Sequence, residues 1–165
     1  MTSRKNTKQR GMTLVEVITY SALLIIITSA VVGIVLNFAS VYESIHASNK
    51  LRTSAVSAAD RIVFEIRNAQ DITSVSSNDI TLTNISGDTI DFALTSGKIT
   101  IEENGGGTQN LTGSDVTATT LNFEHLGSSG SSNQAVTVVF TLETPYKDTV
   151  KQTSFQDTIV LRGAY

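Results

Sequence analysis

A chain of 165 residues, with 15 acids against 12 lysines and arginines, has room for one modest domain and not for two. Set aside the +4 of residues 1–11 and the remainder stands at −7, which argues against a nucleic-acid-binding surface because that would need a basic patch. Cysteine is absent, which excludes disulfides and thiolate metal sites, and the frequent Gly, Ser, Thr and Asn suit a β-rich domain with many turns.

Residues 1–11 are polar, lack periodicity and carry Arg4, Lys5, Lys8 and Arg10 with no acid among them. They read as a basic leader peptide, outside the fold. Gly11-Met12-Thr13-Leu14-Val15-Glu16 follows, and then an uncharged run from Val17 to Tyr42. Its first twenty residues, Val17 to Leu36, are rich in Ile, Val and Leu. At about 1.5 Å per residue they can cross a hydrocarbon core about 30 Å thick. The basic flank predicts that the N-terminus stays in the cytoplasm and the C-terminal part goes outside, so the protein is expected in the cytoplasmic membrane. Glu16 is the odd residue. A carboxylate costs about 2.5–3.5 kcal/mol at mid-bilayer on insertion scales and less toward the interface. It calls for a partner, and none is expected nearby in the span.

Gly11 followed by Met12-Thr13-Leu14-Val15-Glu16, with the basic leader and the apolar run, resembles the processing site of type IV prepilins and of the pseudopilins of type II secretion. The resemblance implies cleavage between Gly11 and Met12 by a prepilin peptidase, methylation of the new Met12 terminus, and a role for Glu16 in filament assembly. It also implies as partners other pilin or pseudopilin subunits, an inner-membrane assembly platform and membrane lipid. A Met12 amine beside a Glu16 carboxylate, in one copy or between neighbours, would offset the desolvation of both charges in an apolar helix bundle. Met12 stands where phenylalanine is usual, and Gly33 falls where many major pilins have proline. A plain signal anchor would explain the flank and the run but not Gly11 and Glu16. A secretory signal cut near Thr28-Ser29-Ala30 would not need the run to continue through Val31 and Val32 to Leu36.

Residues 12–70 read as one long helix. Its half from 12 to 42 is apolar all round, and its half from 43 to 70 is amphipathic. Leu51, Ala55, Ala58, Ile62, Ile66 and Ala69 recur at spacings of three or four and form a stripe, with Lys50, Asp60, Arg61 and Arg67 on the other side. No Pro or Gly interrupts residues 34–70. A helix of that length, roughly 90 Å, exceeds one span, so its second half must lie against its own domain. Arg61 to Ala69 followed by Ile72, and the closing Thr158-Ile159-Val160-Leu161-Arg162, resemble stretches of minor pilins and of the J-type minor pseudopilin. This points to a minor rather than a major subunit.

From residue 79 the period becomes two. Ile80 and Leu82, then Ile90, Phe92 and Leu94, then Ile99 and Ile101 predict a three-stranded meander with turns at Ser86-Gly87-Asp88 and Ser96-Gly97. Asn104 to Gly107 reads as a flexible loop. Leu121 and Phe123, then Val136, Val138, Phe140 and Leu142, then Ile159 and Leu161 give a second set, with a Gly/Ser loop over 127–133 and a turn at Pro145-Tyr146-Lys147. One-sided alternation means each strand buries one face, and the helix stripe is the natural cover. The expected fold is α+β: a long N-terminal helix packed on an antiparallel β-sheet head over residues 71–165.

The residues offer little chemistry. His46 and His125 read as solvated, and no nucleophile elbow, Walker loop or zinc-protease motif occurs. The Gly105–Gly107 run lacks the strand-turn-helix setting that phosphate binding needs. Asp79, Asp88 and Asp91 match no calcium loop. Asn84-Ile85-Ser86 and Asn110-Leu111-Thr112 fit the glycosylation triplet, which a Thr-rich chain reaches by chance. The sequence therefore reads as a non-enzymatic filament subunit, without cofactor or metal and with no nucleic-acid partner. The alternative is a membrane-anchored extracytoplasmic binding protein that does not polymerise.

Overall fold

The structure is a computed structural model that describes residues 11–127 and 134–161. The basic leader up to Arg10, residues 128–133 of the Gly/Ser loop and the end of the chain from Arg162 to Tyr165 lie outside the described residues. The chain divides into two units, Met1–Tyr42 and Glu43–Tyr165.

One helix, α1 (Leu14–Asn68), runs through both. It starts where Thr13 caps it: the Thr13 carbonyl accepts the amides of Glu16 at 3.1 Å and Val17 at 3.2 Å, and the Thr13 hydroxyl accepts the Glu16 amide at 3.3 Å. Leu, Ile, Val and Ala carry it forward without a proline, and Arg67 in its last turn suits the negative end of the helix dipole.

The head is an α+β arrangement with two antiparallel meanders. The first sheet has β1 (Ala69–Val75), β2 (Asp79–Asn84), β3 (Thr89–Thr95), β4 (Lys98–Glu103) and β5 (Thr108–Asn110) in chain order. The second has β6 (Thr117–Leu126), β7 (Ala135–Tyr146) and β8 (Thr149–Val160). Register sets large side chains opposite one another: Ile80 faces Phe92, Phe92 faces Ile101, Leu121 faces Phe140 and Phe123 faces Val138. Phe140 also faces Phe155 of β8, their rings stacked with centroids 5.0 Å apart. Leu51, Ala58, Ile62 and Ile66 of the predicted helix stripe complete this core, joined by Ala59.

The head departs from the sequence reading in several places, first in the sheet itself: the expected three-stranded meander is the centre of a five-stranded sheet, with β1 and β5 added at its edges. The helix yields to β1 at Ala69, where it was expected to reach residue 70. Ala69, Ile72 and Val75 continue a spacing of three, and a strand can bury that spacing because β1 bulges against β2 at two points. A bulge between Ala118 and Thr120 likewise turns both Ala118 and Leu121 inward, although they stand three apart. The turn expected at Pro145-Tyr146-Lys147 falls one step later: β7 runs to Tyr146, and Lys147, with φ of 52°, opens the reversal into β8. Pro145 is tolerated there because β6 stops pairing at Glu143, leaving that side of β7 without a neighbour to hydrogen-bond. Finally, Asn104 to Gly107 forms the β4–β5 turn, with Asn104 and Gly105 in the left-handed region.

Candidate functional site

The residues singled out in the sequence lie at the start of α1. Gly11 is exposed and outside the helix, and a Cβ there would meet nothing within 4 Å. No described neighbour would crowd a larger side chain at that point. Met12 is 66% exposed and precedes the Thr13 cap. Thr13-Leu14-Val15-Glu16 has the spacing of a capping box, which puts a carboxylate into the first helical turn, where the helix dipole favours it.

Glu16 does have a partner, contrary to the expectation that the span offers none. The Tyr20 hydroxyl donates to its Oε1 at 3.1 Å, one helical turn on, and Glu16 is half-buried among exposed neighbours. The spacing of four between an acid and a phenol was the available signal.

From Val17 to Leu36 the large apolar side chains stand 49–70% exposed. The hydroxyls among them turn back onto the helix: Thr19 donates to the Val15 carbonyl at 2.8 Å, Ser21 to Val17 at 2.8 Å and Thr28 to Leu24 at 2.7 Å. Thr28 and Ser29, offered above as a secretory cleavage site, both sit mid-helix with their hydroxyls so engaged. Gly33 continues the helix with nothing within 4 Å of a Cβ placed there. The polar groups are thus satisfied internally and the outer surface is hydrocarbon, as a bilayer or a bundle of similar helices requires. This helix is long and apolar enough to cross a membrane.

In the head, the beginning of the amphipathic half is fastened by lysines. Lys151 of β8 donates to the Ser44 carbonyl at 2.8 Å, the Ser44 hydroxyl at 2.6 Å and the Ser48 hydroxyl at 2.9 Å, and its ammonium lies 5.0 Å from the Tyr146 ring centre. Lys50 pairs with Asp115 at 2.6 Å, and Lys98 gathers the carbonyls of Gly113, Ser114 and Val116. Further along, Arg61 bridges two acids: Glu65 at 2.8 Å and Glu103 of β4. Lys50 and Arg61 therefore bind the head rather than facing away with Asp60 and Arg67. Burial raises the Glu65 carboxyl above its ordinary value; Arg61 opposes that rise and Glu103 adds to it.

The remaining candidates are taken up by structure. Asp88 accepts from the amides of Asn104 at 2.7 Å and Asn84 at 3.0 Å, which hold its carboxyl below the usual range. Asp79 accepts from Ser76, and Asp91 from Thr81 at 3.2 Å. Asn84, of the first glycosylation triplet, spends its carbonyl oxygen on the amides of Ser86 and Asp88. His46 is exposed on α1, while His125 on β6 is half-buried with Nε2 enclosed and without a hydrogen bond among the described residues. Among the described residues no three His, Asp or Glu gather as a metal-ligand set. No family model, no characterised protein and no solved structure matches this chain.

Proposed function

We propose that this protein is a type IV pilin-like filament subunit, a minor pilin or minor pseudopilin of a pilus, competence or type II secretion filament. It inserts into the cytoplasmic membrane with its N-terminus inside and its head outside, and loses residues 1–11 to a prepilin peptidase. It then joins other subunits through residues 12–42. The observation that carries this reading is the junction at the start of α1. A glycine with open space around it precedes a capped first turn holding a half-buried carboxylate, and a helix with exposed hydrocarbon side chains follows.

In this reading the Met12 amine pairs with Glu16 of the same or a neighbouring copy. The pair fixes register more than it adds affinity, because the Coulombic gain of a desolvated ion pair is close to its desolvation penalty. The Tyr20 bond favours a second reading, a plain membrane-anchored binding protein, since it satisfies Glu16 within the chain. The two separate on Glu16→Ala: a filament subunit stays in the membrane but is no longer incorporated, whereas a plain anchor is unaffected. Mass spectrometry of the N-terminus from native cells should find a peptide beginning at Met12, about 14 Da heavier for its methyl group. A native chain beginning at Met1 or Val31 would end the proposal.

A further inference from the structure

Beside the first turns of the amphipathic half of α1, Ser48, Leu51 and Arg52 of the helix and Lys151, Gln152 and Thr153 of β8 line a depression of about 450 Å³. Arg52 and Lys151 are its only charged groups, and no carboxylate lines it. That is unusual ground in this head, where residues 43–165 carry fourteen acids against eight lysines and arginines. Leu51 is buried, and Arg52 stands exposed one turn on from Ser48. The Lys151 ammonium is held by neutral acceptors on Ser44 and Ser48, so its charge is oriented but not neutralised. Neither cation has an ion pair among the described residues.

From this depression we infer a binding site for a phosphate group, supplied by the headgroup of an anionic membrane lipid. The Arg52 guanidinium offers a planar fork of N–H donors that matches phosphate oxygens, and the Gln152 amide and Thr153 hydroxyl are neutral donors lining the same depression. Lys151 contributes its charge from a fixed position, while the serines it bonds supply no competing negative charge. Chain length names the source of the phosphate. Ser44 is eight residues beyond Leu36 and two beyond Tyr42, so about 12 Å of helix rise separates it from the end of the expected span. Headgroups extend about 5–8 Å outside a hydrocarbon core, and lysine and arginine reach toward them over their own apolar stems. A site tethered that close to a surface of phosphates is filled even when its intrinsic affinity is weak. The site needs α1 to cross a bilayer; it needs neither cleavage at Gly11 nor assembly, so it and the filament can each fail alone.

The whole chain in nonionic detergent, titrated with dioctanoyl phosphatidylglycerol, dioctanoyl phosphatidylcholine or sodium phosphate at matched ionic strength, tests this by hydrogen exchange over residues 44–52 and 149–154. Phosphatidylglycerol should slow exchange in both segments. Phosphatidylcholine should do so only at higher concentration, and sodium phosphate should have little effect. A cation near an anionic surface is worth about five-fold in binding, so Arg52→Gln should need about five-fold more phosphatidylglycerol for the same protection. Arg52→Lys, which keeps the charge and loses the fork, should fall between. Arg67→Gln removes an equal charge from the last turn of α1 and should match the wild type; the basic leader is common to all. Protection by sodium phosphate at the same concentration as the lipid would make this a site for a dissolved anion and overturn the lipid source. No protection by phosphatidylglycerol, an equal response to phosphatidylcholine, no effect of Arg52→Gln, or an equal effect of Arg67→Gln would each overturn the site. None of these readouts depends on cleavage or on filaments, which N-terminal mass and sedimentation report separately.

Discussion

The two halves of α1 solve opposite problems with the same backbone. Between residues 12 and 42 the hydroxyls turn inward onto helix carbonyls and the hydrocarbon side chains turn outward, exposed. Between 43 and 68 the hydrocarbon turns inward as a stripe, and charged groups hold the flanks to strands and loops. An apolar helix surface is completed by whatever lies outside the chain, and an amphipathic one by the chain itself. The first half is therefore built for a solvent or a partner, and the second for a fold.

Truncation should break the comparison hardest. Ile62 is fully buried, so Ile62→Ala is expected to cost the head about 2–5 kcal/mol. Ile26→Ala, in the uncovered half, should leave head stability within about 0.5 kcal/mol. Denaturant unfolding of the detergent-solubilised chain, followed by head signals, checks both, and equal losses would erase the distinction between the halves.

A middle-sized effect is expected where the second half begins. Lys151→Met removes three hydrogen bonds to Ser44 and Ser48 while keeping an apolar stem. The loss should be about 1–3 kcal/mol. Hydrogen exchange should show it as lost protection near residues 44–50 with the β6–β7 pairing retained. Uniform loss throughout the head would mean the lysine does not act locally.

The smallest expected effect is in pH. Glu65 holds its proton more tightly folded than unfolded, so stability from this group is lost as pH rises above its raised value and grows as pH falls toward 4.5, its ordinary value. Asp91 acts in the same sense. Asp88 and Asp115 have lowered values, Asp115 chiefly through Lys50. Their contribution is present above 3.8 and is lost as pH falls further. Thermal unfolding should therefore pass through a shallow maximum in mild acid, and Glu65→Gln should flatten its neutral side without touching its acid side. A variant that keeps the neutral slope would remove Glu65 as its source.

Most of this architecture could be read in the sequence because burial is one-sided. The stripe from Leu51 to Ile66, and alternation such as Ile80, Leu82 or Val136, Val138, Phe140, each name a face. What escaped were elements whose pattern belongs to another class. Ala69, Ile72 and Val75 keep a helical spacing and become a strand through bulges. β8 begins at Thr149, well before the predicted Ile159, because Lys151, Thr153 and Asp157 alternate with polar neighbours and Phe155 alone is large and apolar among them. β5 is three exposed residues with no hydrophobic signal. At the candidate site, Gly11, Met12 and Glu16 were named by resemblance alone, whereas the Thr13 cap and the Tyr20 bond needed attention to spacings of three and four along a helix start. The Lys151 fastening joins residues 107 positions apart, and no local pattern marks it.

Both sheets are plain meanders, each strand pairing with the one before it in the chain. Each sheet can therefore form hairpin by hairpin from strands adjacent in the chain, and local pairing favours speed. The head also has no cysteines that must find one another. A head whose strands pair with their neighbours in the chain gains from that simplicity: little time passes with bare strand edges available for aggregation.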